Sequence, residues 1–279
     1  MSIDIKDEKM KKAILIFLMS AIALGANSQS VHVIGVEKLD VTGYYPQFVP
    51  GSDDIIVTGQ NFKGLKTYNL TTKDEIVISE ESGAGYEAVV QSDEVRFDTK
   101  DHGSYSYVWS SGSRSKISEE SLVSARRIGT GVFAEATRDL RAIEVNGLQG
   151  TKVIKPLGEA DYLNVSVSPD QTKLAFRVSG LGSFVTDMDG NVLRELGDVE
   201  FPKWVDNHTV LYTNTKDDGY QYVSSTVMIA SLDNIEGASR LTDLNKQIAL
   251  FPAVNSLGTK VLFHTPNGEI YLLNVDREQ

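Results

Sequence analysis

The stretch VSPDQTKLAFRVSG, residues 167–180, decides the fold. Ser168-Pro169-Asp170 carries turn chemistry, because proline presets its own backbone angle and short polar side chains bond to amides one or two residues on. The run that follows alternates as a strand does, with Leu174 and Phe176 on one side. A second copy shows that this is more than one hairpin. Thr259-Lys260-Val261-Leu262-Phe263 aligns with Thr172-Lys173-Leu174-Ala175-Phe176, and Asn255-Ser256-Leu257-Gly258 then falls opposite Ser168-Pro169-Asp170-Gln171.

With those two copies aligned, four weaker ones follow. First strands read YPQFV, YEAVV, ARRIG, YLNVSV, FPKWV and FPAV, beginning at residues 45, 86, 125, 162, 201 and 251. Second strands read DIIVTG, EVRFDT, VFAEAT, KLAFRV, TVLYTN and KVLFHT, and third strands LKTYNL, YSYVW, RAIEV, SFVTDM, TVMIASL and EIYLLNV. Gly, Asn, Asp and Ser punctuate these runs, and no helical periodicity appears between them. A period near forty residues with four strands per unit is the signature of propeller blades. The expected fold is all-β: a six-bladed β-propeller of four-stranded antiparallel blades.

Two departures from the repeat carry information. The fifth unit is longer, and TNTKDDGYQYVSS (213–225) reads as an extended, polar surface loop between its second and third strands. The last unit stops after its third strand, whereas VHVIGVEKLD (31–40) precedes the first unit, belongs to none and alternates like a strand. It is expected to close the ring as the outer strand of blade six, removing an unpaired sheet edge. A free N-terminus is the competing reading.

The run Val167-Ser168-Pro169-Asp170-Gln171-Thr172-Lys173-Leu174-Ala175-Phe176, followed by Thr186-Asp187-Met188-Asp189-Gly190, resembles the TolB-type β-propeller repeat. Blade four matches it well, blades five and six moderately and the first three poorly. The resemblance implies a role as an interaction scaffold in the bacterial cell envelope. Similar propellers also gate the catalytic domain of prolyl-oligopeptidase-like enzymes, and some related ones are polysaccharide lyases with a metal at the channel mouth. These 279 residues leave no room for the extra α/β domain of TolB or for a hydrolase domain, so the resemblance implies an isolated propeller.

Residues 1–29 read as a secretory signal peptide: Lys9, Lys11 and Lys12 precede the apolar run AILIFLMSAIAL, and small residues follow. The competing reading is a single membrane anchor, although twelve apolar residues are short for a span. The propeller domain is then 30–279, periplasmic or secreted, with no membrane span after cleavage. The chain has no cysteine, which excludes disulfides, thiolate metal sites and a lipid-carrying cysteine. Its net charge of −11, with no basic cluster, argues against nucleic acid as a partner.

No catalytic motif stands out. The four histidines, His32, His102, His208 and His264, have no zinc-binding spacing. Asp187-Met188-Asp189-Gly190-Asn191 reads as an Asp-Gly hairpin turn, because an EF-hand would need glycine and glutamate where Val192 and Asp198 stand. Neither cofactor nor metal is expected. In a propeller the loops between second and third strands share one face around the mouth of the central channel. That places Asn61, Asp101, His102, Arg138, Asp217, Asp218, Tyr220 and His264 on one side as candidate binding residues for a protein or peptide partner, or a glycan. His208 falls on the opposite face. The alternative is a lyase or hydrolase with a metal-assisted site built on His102 and His264.

Overall fold

The computed structural model describes residues 31–86, 88–118, 131–147, 150–243 and 247–277. They form a six-bladed β-propeller. Blade one comprises β2 (Tyr44–Phe48), β3 (Asp54–Thr58), β4 (Lys63–Asn69) and β5 (Glu75–Ser82). Blade two is β6 (Val89–Val90), β7 (Glu94–Thr99), β8 (Gly103–Val108) and β9 (Ser113–Lys116). Blade three shows β10 (Phe133–Ala136), β11 (Ile143–Gly147) and β12 (Gly150–Ile154); its expected first strand, ARRIG, lies outside the described residues. Blade four is β13 (Tyr162–Val167), β14 (Lys173–Val178), β15 (Gly182–Asp187) and β16 (Val192–Gly197). Blade five is β17 (Glu200–Trp204), β18 (Thr209–Asp217), β19 (Tyr222–Ser231) and β20 (Asn234–Arg240). Blade six combines β21 (Leu250–Val254), β22 (Lys260–His264) and β23 (Glu269–Arg277) with the N-terminal strand β1 (Val31–Thr42).

The ring closes as the unassigned N-terminal segment predicted. β1 pairs antiparallel with β23, with Val36 opposite Leu273 and Lys38 opposite Tyr271. Leu39 and Val41 are buried with Ile55 and Val57 of blade one and Leu262, Ile270 and Leu272 of blade six. Lys38 reaches Glu269 at 2.5 Å and Glu37 takes Lys73 of blade one at 2.8 Å, so the strand ties first and last blades together.

Both faces of a blade are buried, which explains why second strands are continuous apolar runs. Leu174, Phe176 and Val178 pack toward Ile143 and Val145 of blade three, while Ala175 between them packs toward Trp204 and Val210 of blade five. Leu211, Val227 and Ile229 likewise meet Val261, Phe263 and Leu273 across the blade five to six interface. Alternation with a period of two thus feeds two cores from one strand.

The turn inside VSPDQTKLAF is built by side chains. The Ser168 Oγ accepts from the amides of Lys173 at 2.9 Å and Thr172 at 3.2 Å, and Gln171 sits in the left-handed region at φ 59°. In blade six Asn255 does the work of Ser168, its Oδ1 accepting from Thr259 and Lys260 at 2.9 Å, with Gly258 at φ 70° in place of Gln171. Two different residues solve the same backbone problem, so the repeat survives a change of sequence. The Asp187 turn joins β15 and β16 as expected of Asp-Gly, with Oδ1 accepting from the amides of Asp189 and Asn191 at 2.9 Å.

One expectation needs correction. Residues 213–225 are not an extended loop: β18 runs to Asp217 and β19 starts at Tyr222, leaving only a tight turn in which Asp218 N–H donates to the Gln221 carbonyl at 3.2 Å. Thr and Ser suit extended backbone, and here a polar sequence forms a solvated hairpin that projects past the other blades' second-to-third connections. Residues 1–29, where the signal peptide is expected, lie outside the described residues. Among the described residues no helix is long and apolar enough to cross a membrane.

Candidate functional site

The innermost strands of blades one, four, five and six share an irregularity. Their register slips between Tyr44 and Gln47, Leu163 and Ser166, Glu200 and Lys203, and Leu250 and Ala253. Inside each slip one residue adopts a left-handed backbone: Tyr45 at φ 51°, Asn164 at 53°, Phe201 at 53° and Phe251 at 49°. For bulky residues this conformation costs about 1–2 kcal/mol each, so packing around them must hold it in place. In three of the four, proline follows: Pro46, Pro202 and Pro252.

These bulges turn aromatic rings toward one another at the channel mouth. Tyr86 meets Phe62 at 5.1 Å between ring centres, Phe62 stacks on Tyr45 at 4.6 Å, Tyr45 meets Phe251 at 4.5 Å, and Phe251 meets Phe201 at 3.9 Å. The belt spans blades two, one, six and five. Phe62 comes from the short 3-10 turn Gln60–Phe62, where Asn61 and Phe62 are both left-handed at φ 54° and 57°. Gly85 lets Tyr86 reach it: a Cβ there would lie 2.0 Å from Thr58 Oγ1. The belt rings other than Tyr86 are half-buried and Tyr86 is exposed, so the belt offers an apolar surface at the mouth.

His264 ends β22 and lies under this belt, only 2% exposed, rather than at a loop tip. Its ring stacks on Phe251 at 5.5 Å and meets Tyr44 and Tyr45 edge-on at 5.2 and 5.3 Å. Nδ1 is 2.9 Å from the Thr265 carbonyl, which can only accept, so Nδ1 carries the proton and Nε2 is a bare lone pair with no partner. Burial pushes its pKa below the ordinary 6.5, although the Thr265 carbonyl pulls the other way, so the ring is neutral.

Beside the belt, an open groove of about 720 Å³ runs between the blade-five hairpin and blade six. The hairpin supplies Asp217, Tyr220 and Tyr222; blade six supplies Asn267, Glu269 and Tyr271; Gln247 and Ile248 form part of the wall, and Glu200, next to Phe201, closes the inner end. Tyr220 stands 99% exposed at the hairpin tip. Among the described residues three carboxylates line the groove and no lysine or arginine does. Arg177 reaches Glu200 at only 3.5 Å, while it holds Asp198 at 3.1 Å and the Val199 carbonyl at 2.7 Å. Glu200 Oε2 is enclosed and has no hydrogen-bond partner. Burial raises the Glu200 pKa above its ordinary 4.5, with Asp198 and Asp217 adding to the rise, against the pull of Arg177 and of a hydrogen bond from the Tyr222 phenol. Burial, then the charges of Glu200 and Asp217, raises the Tyr222 phenol.

The other sequence candidates are scattered. Asp217 and Tyr220 line the groove and Asp218 caps the hairpin turn, accepting from the amides of Tyr220 and Gln221. Asn61 is exposed beside the belt. His102 is drawn to Glu81 of blade one, Nδ1 to Oε1 at 3.2 Å, where Arg114 binds the same carboxylate at 2.5 Å. Arg138 and Asp101 are exposed on blades three and two. His102 and His264 thus have different surroundings, and among the described residues no three His, Asp or Glu converge as metal ligands. The belt is what the residue-by-residue reading missed. Its signal was present in the aromatic-proline pairs Tyr45-Pro46, Phe201-Pro202 and Phe251-Pro252, recurring at one position of the repeat.

Fold and site together define a propeller with an aromatic mouth and an acidic groove beside it. Similarity to solved structures supports the class: 1005 chains match, among them one from the crystal structure of a mitotic checkpoint complex, with a TM-score of 0.52 and 11% identity. That match covers 90% of this chain and 98% of the other. A chain of the Kuenenia stuttgartiensis hydrazine synthase matches at a TM-score of 0.48 with 12% identity, covering 82% of this chain and 75% of that one. No protein-family model matches the sequence, and no curated protein does.

Proposed function

We propose that this protein is an exported, non-enzymatic β-propeller of the TolB type that serves as a binding scaffold in the bacterial cell envelope, taking a protein or peptide partner at the face bearing the blade-five hairpin. The observation that carries the reading is the hairpin itself. It extends one blade beyond its neighbours, holds Tyr220 in solvent and walls a groove that opens next to a half-buried aromatic belt. Exposed aromatic anchors beside a concave surface are the usual energetic centre of a protein interface. The basic and apolar N-terminal segment supports export, and a chain of similar fold belongs to the crystal structure of a mitotic checkpoint complex.

A photo-crosslinking side chain placed at position 220, compared with one at exposed Leu193 on the outer strand β16, tests the reading in envelope fractions. A discrete crosslinked partner is expected from position 220 and not from 193. Equal labelling from both positions, or recovery of the protein in the cytoplasm, refutes it.

A further inference from the structure

The innermost strands carry a lysine without a counter-charge among the described residues. Lys203 pairs with Leu211 across β17 and β18, as Gln47 does with Ile56, Ser166 with Ala175 and Ala253 with Leu262. The second-strand partner in each pair packs toward the next blade, and the innermost residue on that same side stands where the blades converge, along the central channel. Lys203 is the charged member of the four; Gln47, Ser166 and Ala253 are half-buried. It follows Phe201 of the belt by two residues, on a strand that runs inward from the mouth. Trp204 Nε1 donates to the Ser166 carbonyl at 3.1 Å and the Ser166 hydroxyl donates to the Pro202 carbonyl at 3.4 Å, which fixes the backbone on both sides of Lys203.

Among the described residues Lys203 has no hydrogen bond and no ion pair. Glu200, three residues earlier on the strand, is held by Arg177 and Tyr222 instead. Lys203 keeps contact with solvent, yet burial lowers its pKa below the ordinary 10.5 with no charge opposing the fall. Both hold for a side chain in an axial channel, wetted along its length and walled by the blades around it. We infer that the channel is a second site, distinct from the groove, for an organic monocarboxylate whose carboxylate pairs with the Lys203 ammonium while its apolar body lies against Phe201 and Phe251 at the mouth. One ammonium matches one negative charge, and the net charge of −11 over the chain disfavours ligands that carry more. The way in passes the aromatic rings, which favours an apolar body behind the charged head.

The test titrates 3-phenylpropionate, and its uncharged amide, into isotope-labelled protein while the Lys203 side-chain resonances are followed by NMR. The acid is expected to shift them, and the amide to bind about tenfold more weakly, the scale of one charge-assisted contact. Lys203→Met should lose the same factor and melt no lower than wild type, since the side chain leaves no partner behind, whereas Lys116→Met on the exposed outer strand β9 should bind normally. Acetylated Ala-Ala-Phe with a free carboxyl end, set against its own amide, separates the sources of the carboxylate: a tighter hold on the tripeptide assigns the site to a polypeptide C-terminus, a tighter hold on phenylpropionate to a free acid. Equal binding of acids and amides, full affinity in Lys203→Met, or no movement of the Lys203 resonances with either acid overturns the inference, and none of these results alters what crosslinking at position 220 says about the hairpin face.

Discussion

Ring closure by β1 makes a quantitative demand on one side chain. Leu39 is 3% exposed and packs among Ile55, Val57, Leu262, Ile270 and Leu272, which come from the first and last blades. Truncation to alanine removes that contact and leaves a cavity at the seam, which costs about 2–5 kcal/mol for a buried leucine. In a domain of roughly this size each kcal/mol lowers Tm by about 2–4 °C, so a central loss of about 3 kcal/mol predicts a fall of about 6–12 °C. Val36 lies on the same strand but is 60% exposed, and Val36→Ala should shift Tm by no more than about 2 °C. Calorimetry on the two variants gives the comparison, and amide exchange along Glu269–Arg277 should accelerate in Leu39→Ala because the pairing of β23 with its outer neighbour β1 is weakened. If Leu39→Ala melts with the wild type, β1 is not part of the cooperative unit and the ring is held by other seams.

Two further outcomes follow from the turns and the mouth. Against the upward push of partial burial, the hydroxyls of Ser168 at 2.6 Å and Thr172 at 2.8 Å, the Thr172 amide and Lys173 hold the Asp170 carboxyl well below its ordinary 3.8. Asp170→Ala should therefore cost about 1–2 kcal/mol near neutral pH. That difference is present above the ordinary value and disappears as pH falls through the depressed one, so urea titrations giving a gap independent of pH would contradict it. At the mouth, His264 is buried neutral and its pKa is depressed, so the unfolded chain binds more protons below pH 6.5. Wild type should lose stability relative to His264→Phe as pH falls below that value, by at most about 1.4 kcal/mol per pH unit. Parallel melting curves of the two proteins from about pH 7.5 to about pH 5 would show that the ring is not enclosed in its neutral form.

Where one strand feeds two cores, its sequence is loud. DIIVT, KLAFRV, TVLYT and KVLFH are buried on both sides, and each was readable as a second strand of a blade. Outer strands are quiet because one side or both face water: Ser113–Lys116 is exposed throughout, and nothing in SRSK demands a strand until β8 pairs with it. The blade-five hairpin was misread for the same reason. Its Thr, Ser and Tyr residues satisfy solvent and strand alike, and only the pairing of Thr215 with Ser225 and Lys216 with Ser224 shows that the ladder continues.

The sequence by itself determined the repeat, the number of blades and the need for a closing strand, since these follow from alternation, turn chemistry and period, all local in the chain. It also placed Asp217 and Tyr220 on the longer second-to-third connection of blade five. Tertiary structure alone decided which side chains meet. Tyr45, Phe62, Tyr86, Phe201 and Phe251 lie up to 206 residues apart, yet left-handed bulges on three inner strands and a 3-10 turn bring them into one belt. The same closure moved His264 from an expected loop tip to a buried position and set Glu200 at the end of an acidic groove. A circular fold brings the first strands of its blades to a common axis and sets β1 beside β23 on the rim, and no sequence spacing records that proximity.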